Sequence, residues 1–280
     1  MKTYLDCFPC FLSQALRASR IATSDEKRIK KVLDEIGMLL KDIPLESSPP
    51  ETGRLIYRKI EEITRNPDPY RAIKEESTKK VLSLYPALKN AVKMSEDKLL
   101  TAIRISIAGN VIDLGANRAF DLENDIEDIL KRNFAIFDYE PFKVKLDRSD
   151  EILFIGDNAG ECVCDRILIE ELGKPVTYVV RERPVINDAV HEDALQAGIH
   201  TVARIISSGT DAPGTVLDTC SSDFMDIYTK SQFIISKGQG NFEALSFEKR
   251  PIFFLLKAKC KVIADDIGVS EGDIILKSAI

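Results

Sequence analysis

An α/β fold is predicted, with a helical N-terminal region packed on a three-layer α/β domain whose sheet is mainly parallel. Three observations predict it. Up to about Lys145 apolar residues recur at helical intervals. Beyond it, short β-branched apolar runs alternate with amphipathic segments. Four of those runs lead directly into polar, mostly glycine-bearing segments. The first pattern reads as helices, and the second as βαβ units around buried parallel strands. The expected division is 1–145 for the helical region and 146–280 for the α/β domain.

Taken in order, Cys7-Phe8-Pro9-Cys10 stands at a helix start. Thr23 to Glu26 fits a capping box ahead of Ile29, Val32, Leu33, Ile36, Leu39 and Leu40. Pro49-Pro50 breaks that run. Leu55, Ile56, Ile60 and Ile63 mark the next helix, ended by Asn66-Pro67-Asp68-Pro69. A further run spans Tyr70 to Leu84. Ser95 is placed to cap a helix carrying Leu99, Ile103 and Ile107 toward Asn110 and Asp113, and a short helix is expected near Asp121 to Lys131. The expected strands are Ile152–Ile155, Val176–Val180, Val202–Ile206, Phe233–Ile235, Ile252–Leu256 and Val262–Ala264. Glu161 to Leu172 and Ser221 to Thr229 are helical candidates between them.

The composition narrows the function classes. The chain has 280 residues, 44% hydrophobic and 30% charged, enough for a large buried core. A formal net charge of -6 with both signs intermixed disfavours a general nucleic-acid binder. No apolar stretch is long enough to span a bilayer and none follows a basic start, so a soluble, cytoplasmic protein without a membrane partner is expected. Six cysteines at 7, 10, 162, 164, 220 and 260 do not form a disulfide framework. With two histidines, His191 and His200, a three-histidine zinc site is a poor candidate.

Ligands of open α/β sheets bind at the carboxyl ends of the strands. There the sequence places Gly156-Asp157-Asn158-Ala159-Gly160-Glu161, then Arg181-Glu182-Arg183-Pro184 leading to Asn187-Asp188, then the 207–215 loop, then Lys237-Gly238-Gln239-Gly240-Asn241. Asp157, Asn158 and Asp188 offer hard oxygen ligands suited to a divalent cation that keeps open positions. Two carboxylates leave such a site near neutrality, so an anion can approach. Lys237 on its glycine turn can supply a point charge to a phosphate, as can the N–H groups of the loops. The competing reading of each piece is turn chemistry or a helix cap. Asn110 and Asp113, at i and i+3, share a helix face. They either close a helix end by local hydrogen bonds or cap the pocket from the N-terminal side. Cys7 and Cys10 read by default as free cysteines, with a metal or thiol role as the alternative; Cys162 and Cys164 on a helix would not share a face.

The ordered set Cys7-x-x-Cys10, Asn66-Pro67-Asp68-Pro69-Tyr70, Gly109-Asn110-x-x-Asp113, Gly156 to Glu161, Pro184-x-x-Asn187-Asp188 and Lys237-Gly238-x-x-Asn241 resembles the damage-control phosphatase family, in particular its prokaryotic, CxxC-bearing subfamily. The resemblance covers essentially the whole chain. It implies a divalent cation (Mn²⁺, Ni²⁺, Co²⁺ or Mg²⁺) held by Asp157, Asn158 and Asp188, and hydrolysis of phosphomonoesters of small metabolites such as sugar phosphates or nucleotides. It implies that Asp157, Asp188 and Lys237 are catalytic, and that Glu161, Asn110, Asp113, Lys237 and Asn241 face the substrate. A related branch implies the rival reading, an S-adenosylmethionine-dependent carboxyl methyltransferase; a non-catalytic metal- or nucleotide-binding protein is a third. The expected partner is a small phosphorylated metabolite, and the oligomeric state is left open.

Overall fold

A computed structural model describes residues 1–113 and 131–280, the side chains of 110–113 excepted. The helix expected near Asp121 to Lys131 lies, but for its last residue, outside the described residues. The first half holds α1 (Cys7–Ala22), α2 (Glu26–Leu40), α3 (Pro49–Thr64), α4 (Arg71–Met94) and α5 (Lys98–Asp113). Two caps differ from expectation. The Asp25 carboxylate, not Thr23, accepts from the N–H groups of Lys27 and Arg28, because it stands immediately before the first turn and adds a negative charge at the helix N-terminus. Ser95 ends α4, while the N–H of Leu100 donates to the Asp97 carboxylate at 2.9 Å. Pro49-Pro50 opens α3, with Ser48 and Glu51 forming a capping box.

The rest alternates strands and helices: β1 (Phe134–Phe137), α6 (Tyr139–Arg148), β2 (Ile152–Ile155), α7 (Glu161–Leu172), β3 (Val176–Val180), α8 (His191–Gln196), β4 (Arg204–Ser207), α9 (Ser222–Lys230), β5 (Ile234–Lys237), α10 (Gln239–Leu245), β6 (Ile252–Lys257), α11 (Lys261–Ile267) and β7 (Ile274–Ser278). The seven strands form one sheet in the order β1-β7-β6-β5-β2-β3-β4, parallel except between β6 and β7. The run Val262–Ala264, expected as a strand, is part of α11. Cys260 caps it, and Ile263 and Ala264 turn inward on a helical period that a three-residue run does not reveal. The edge strand β1 comes from within 1–145. It alternates half-buried and exposed residues, so it shows no continuous apolar run.

Three apolar clusters hold the layers. On one sheet face α7 is buried on nearly all sides, between strand residues such as Phe154 and Tyr178 and the helices α4 and α5 above it. On the other face Phe224, Phe242, Leu245 and Ile263 of α9 to α11 pack on Leu153, Ile155, Ile234 and Phe254. Helices α1 to α3 share a smaller core of Phe11, Ala15, Val32, Ile36, Ile56 and Ile60, with Val262 packed against it. No helix among the described residues is long and apolar enough to cross a membrane.

Candidate active site

Strands β2 and β5 are neighbours, and the chain leaves them in opposite directions, β2 toward β3 and β5 toward β6. This is the switch point at which open α/β sheets form a crevice. Gly156-Asp157-Asn158 leaves β2 here, beside Lys237-Gly238 at the end of β5. The turn after β3 folds back onto the same spot. The N–H of Ala189 donates to the Asp157 carbonyl at 2.8 Å, that of Ala159 to the Asn187 carbonyl at 2.9 Å, and Asn158 and Asp188 form an antiparallel bridge. Two short backbone segments thereby bring the three predicted oxygen ligands together, all buried, on the wall of one cleft.

Gly238 makes room for this. Its φ is +79°, and a Cβ there would lie 1.9 Å from Asp157 Oδ2. Gly238→Ala is therefore expected to lower stability by more than the ~1–3 kcal/mol of backbone strain alone. Gly173→Ala is the control, since Gly173 is also left-handed (φ +64°) but has nothing within 4 Å of its would-be Cβ. Chemical denaturation of both variants checks the difference.

Each ligand candidate is oriented by a neighbour. Asn158 donates Nδ2 to Glu161 Oε1 at 2.5 Å and to Asp157 Oδ2 at 3.2 Å, which fixes its amide and leaves the carbonyl oxygen as the donor atom for a cation. Asp188 Oδ2 accepts from Arg181 Nε at 2.8 Å. Arg181 sits at the end of β3, is 2% exposed, and spends its other nitrogens on Thr215 Oγ1 at 3.0 Å and Asn241 Oδ1 at 2.9 Å. Burial pushes the Asp157 carboxyl pKa up, and the Asp188 charge pushes it further. Burial also raises Asp188 and Glu161, while Arg181 pulls the first back and Lys237 the second. Such a concentration of buried acid favours a cation nearby. Among the described residues no three His, Cys, Asp or Glu side chains form a metal cage; the set that fits here is two carboxylates and an amide.

Lys237 and Asn241 lie differently from expectation. The Lys237 ammonium is fully buried and points away from the cleft. It donates to the Ser106 carbonyl at 2.9 Å, to Asp165 Oδ1 at 2.6 Å and to Glu161 Oε2 at 3.2 Å. Asn241 is also fully buried. Its Nδ2 donates to the carbonyls of Gly156 and Lys237, and its Oδ1 accepts from Thr215 and Arg181. In this structure it ties strand ends together and does not line the cleft. Glu161, 1% exposed, links Lys237 to Asn158 rather than facing the cleft. The side chains of Asn110 and Asp113 lie outside the described residues. The Asn66–Tyr70 motif borders a separate, smaller hollow, and its Asp68 pairs with buried Lys74 at 3.2 Å.

The cleft has a volume of about 310 Å³. Phe11, Pro49, Pro50, Ile186, Pro213 and Val262 form its apolar wall, and Cys7, Cys10 and Cys260 are all on its lining as free thiols. Sequence reasoning missed Arg181, Gln239 as a side chain, Lys259 and Cys260. An arginine directly behind a continuous apolar run is a usable signal for the first of these, since a buried guanidinium needs several acceptors.

The fold is that of the DUF89 proteins. The chain belongs to the damage-control phosphatase family: residues 3–275 match the model of the damage-control phosphatase ARMT1-like domain. It is 34% identical to the damage-control phosphatase PH1575 of Pyrococcus horikoshii, over 98% of this chain and 97% of that one. It is 33% identical to a damage-control phosphatase of Archaeoglobus fulgidus, over 97% of each. The crystal structure of the Pyrococcus horikoshii DUF89 family protein superposes with a TM-score of 0.92 over all of both chains at 32% identity.

Proposed function

We propose that this chain is a metal-dependent phosphatase acting on phosphomonoesters of small metabolites, damaged ones among them. The observation that supports this most is the meeting of Asp157, Asn158 and Asp188 on one cleft wall, in a chain whose relatives are named damage-control phosphatases. The three side chains would hold Mn²⁺, Ni²⁺, Co²⁺ or Mg²⁺, since their donors are hard oxygens. A cation bound there supplies Lewis acidity toward a phosphoryl oxygen and toward water.

The chain's own groups prepare the site. Arg181 holds one oxygen of Asp188, so the other is presented in a fixed direction. Glu161 and Asp157 hold the Asn158 amide. Lys237, itself held by Asp165, anchors Glu161 from behind and so acts as a positioning residue. The apolar wall excludes water around the organic part of the ester.

The test is phosphate release from 4-nitrophenyl phosphate and a panel of metabolite phosphomonoesters, by metal-stripped protein with each metal added back. Turnover is expected only with metal, and Asp157→Asn is expected to lower it by at least about a hundredfold. No release under any metal would contradict the proposal. Saturable binding of S-adenosylmethionine in that case would favour a carboxyl methyltransferase.

A further inference from the structure

Resting on the phosphatase reading, we infer that Ile186 is a specificity-determining residue of the cleft, whose side chain packs against the organic part of the phosphomonoester. The observation that carries this is its backbone. Ile186 has a φ of +47°, in the left-handed region that a β-branched side chain avoids. Among the described residues the other non-glycine there is Arg65, which closes the C-terminus of α3, where that conformation is ordinary. Ile186 occupies the second position of a tight turn, closed by the Asp188 N–H donating to the Val185 carbonyl at 3.1 Å. A left-handed second position suits Gly, Asn or Asp, and isoleucine is strained in it.

The fold does not use this side chain. Ile186 is half-buried and belongs to none of the three apolar clusters. The turn is held without it. Val185 is buried, the Ala159 N–H donates to the Asn187 carbonyl at 2.9 Å, and on the other flank the Glu182 N–H donates to the Thr210 carbonyl at 3.0 Å. Ile186 lies instead on the lining of two hollows. One is the cleft with Asp157, Asn158 and Asp188, and the other is the smaller hollow bordered by Tyr57 and Asp68. A strained residue that its surroundings hold in place, and that adds to no core, points to function. Isoleucine has no polar side-chain atom, so its role is contact with apolar surface, such as the C–H face of a ring or a carbon chain. Inorganic phosphate has no such surface. With Phe11, Pro50 and Pro213 on the same lining, Ile186 lets the cleft prefer an organic phosphomonoester over the phosphate ion its hydrolysis releases.

The experiment compares wild type, Ile186→Ala and Ile186→Gly, each loaded with Mn²⁺. It measures KM for 4-nitrophenyl phosphate, the inhibition constant of inorganic phosphate, and the melting temperature. Ile186→Ala is expected to raise KM about tenfold, with the phosphate inhibition constant within about twofold of wild type. Ile186→Gly is expected to show the same split and to melt no lower than Ile186→Ala, because glycine takes a left-handed backbone freely; at an ordinary position the order is reversed. A KM in Ile186→Ala within twofold of an active wild type, or a phosphate inhibition constant that rises as far as KM does, overturns the contact alone. Melting of Ile186→Gly below Ile186→Ala removes the strain on which the inference stands and overturns it as well. A wild type that neither turns over nor binds phosphate overturns the phosphatase reading and the contact with it.

Discussion

A Lys237→Met variant will unfold about 3–5 kcal/mol more easily than wild type, the cost of removing one partner from a buried ion pair. Its melting temperature will fall by on the order of 10 °C. The reason is local. Glu161 and Asp165 are 1% and 0% exposed, and without the ammonium their charges have no buried counter-ion to share. The Ser106 carbonyl on α5 also loses its donor, so α5 and α7 loosen together. Adding Asp165→Asn to Lys237→Met removes one of the stranded charges and should restore a measurable part of the stability, a coupling a double-mutant cycle will read. A lysine whose job was to touch substrate would behave otherwise: its loss would leave the melting curve in place and change only the kinetics.

Arg181→Met is the second large effect. This guanidinium joins three segments, taking Asp188 from the turn after β3, Thr215 from the loop after β4 and Asn241 from α10. Truncation leaves the Asp188 carboxylate buried and uncompensated, again about 3–5 kcal/mol. Arg181→Lys separates charge from geometry. It keeps a cation near Asp188, but a single ammonium cannot reproduce the planar fork that serves all three acceptors. Stability should therefore return in part, while metal-dependent turnover stays on the order of tenfold or more below wild type, as for other groups that orient metal ligands. Denaturation and phosphate-release assays on the two variants together test this.

The chain pattern already told much of this. The central strands β2 and β3 fall where their continuous apolar runs place them, and α7 spans the expected Glu161–Leu172. Such runs are legible because a strand covered on both faces has no polar side to alternate. The edge strand β1 was not legible, since Phe134–Phe137 is half solvated and carries the opposite pattern. The meeting of Asp157, Asn158 and Asp188 could be expected because all three follow strand ends of one sheet. What could not be read was direction. From sequence Lys237 is a lysine on a glycine turn, and only the packing of α5 over α7 turns its ammonium inward to Asp165 and Glu161. Asn241 is similar: whether its amide meets a ligand or the carbonyls of Gly156 and Lys237 depends on how β2 and β5 are set side by side. Lys259 lies in a segment without a glycine motif, so its place on the cleft follows from tertiary structure alone.

The central claim is that two carboxylates and one amide, brought together by the turn after β3, hold a divalent cation. Calorimetric titration of metal-stripped protein with Mn²⁺ tests it most directly, on wild type, Asp157→Asn and Asp188→Asn, with circular dichroism to establish that all three are folded. The account predicts one saturable site per wild-type chain and affinity weakened by at least about tenfold in each variant. Equal binding by folded Asp188→Asn and wild type would contradict it.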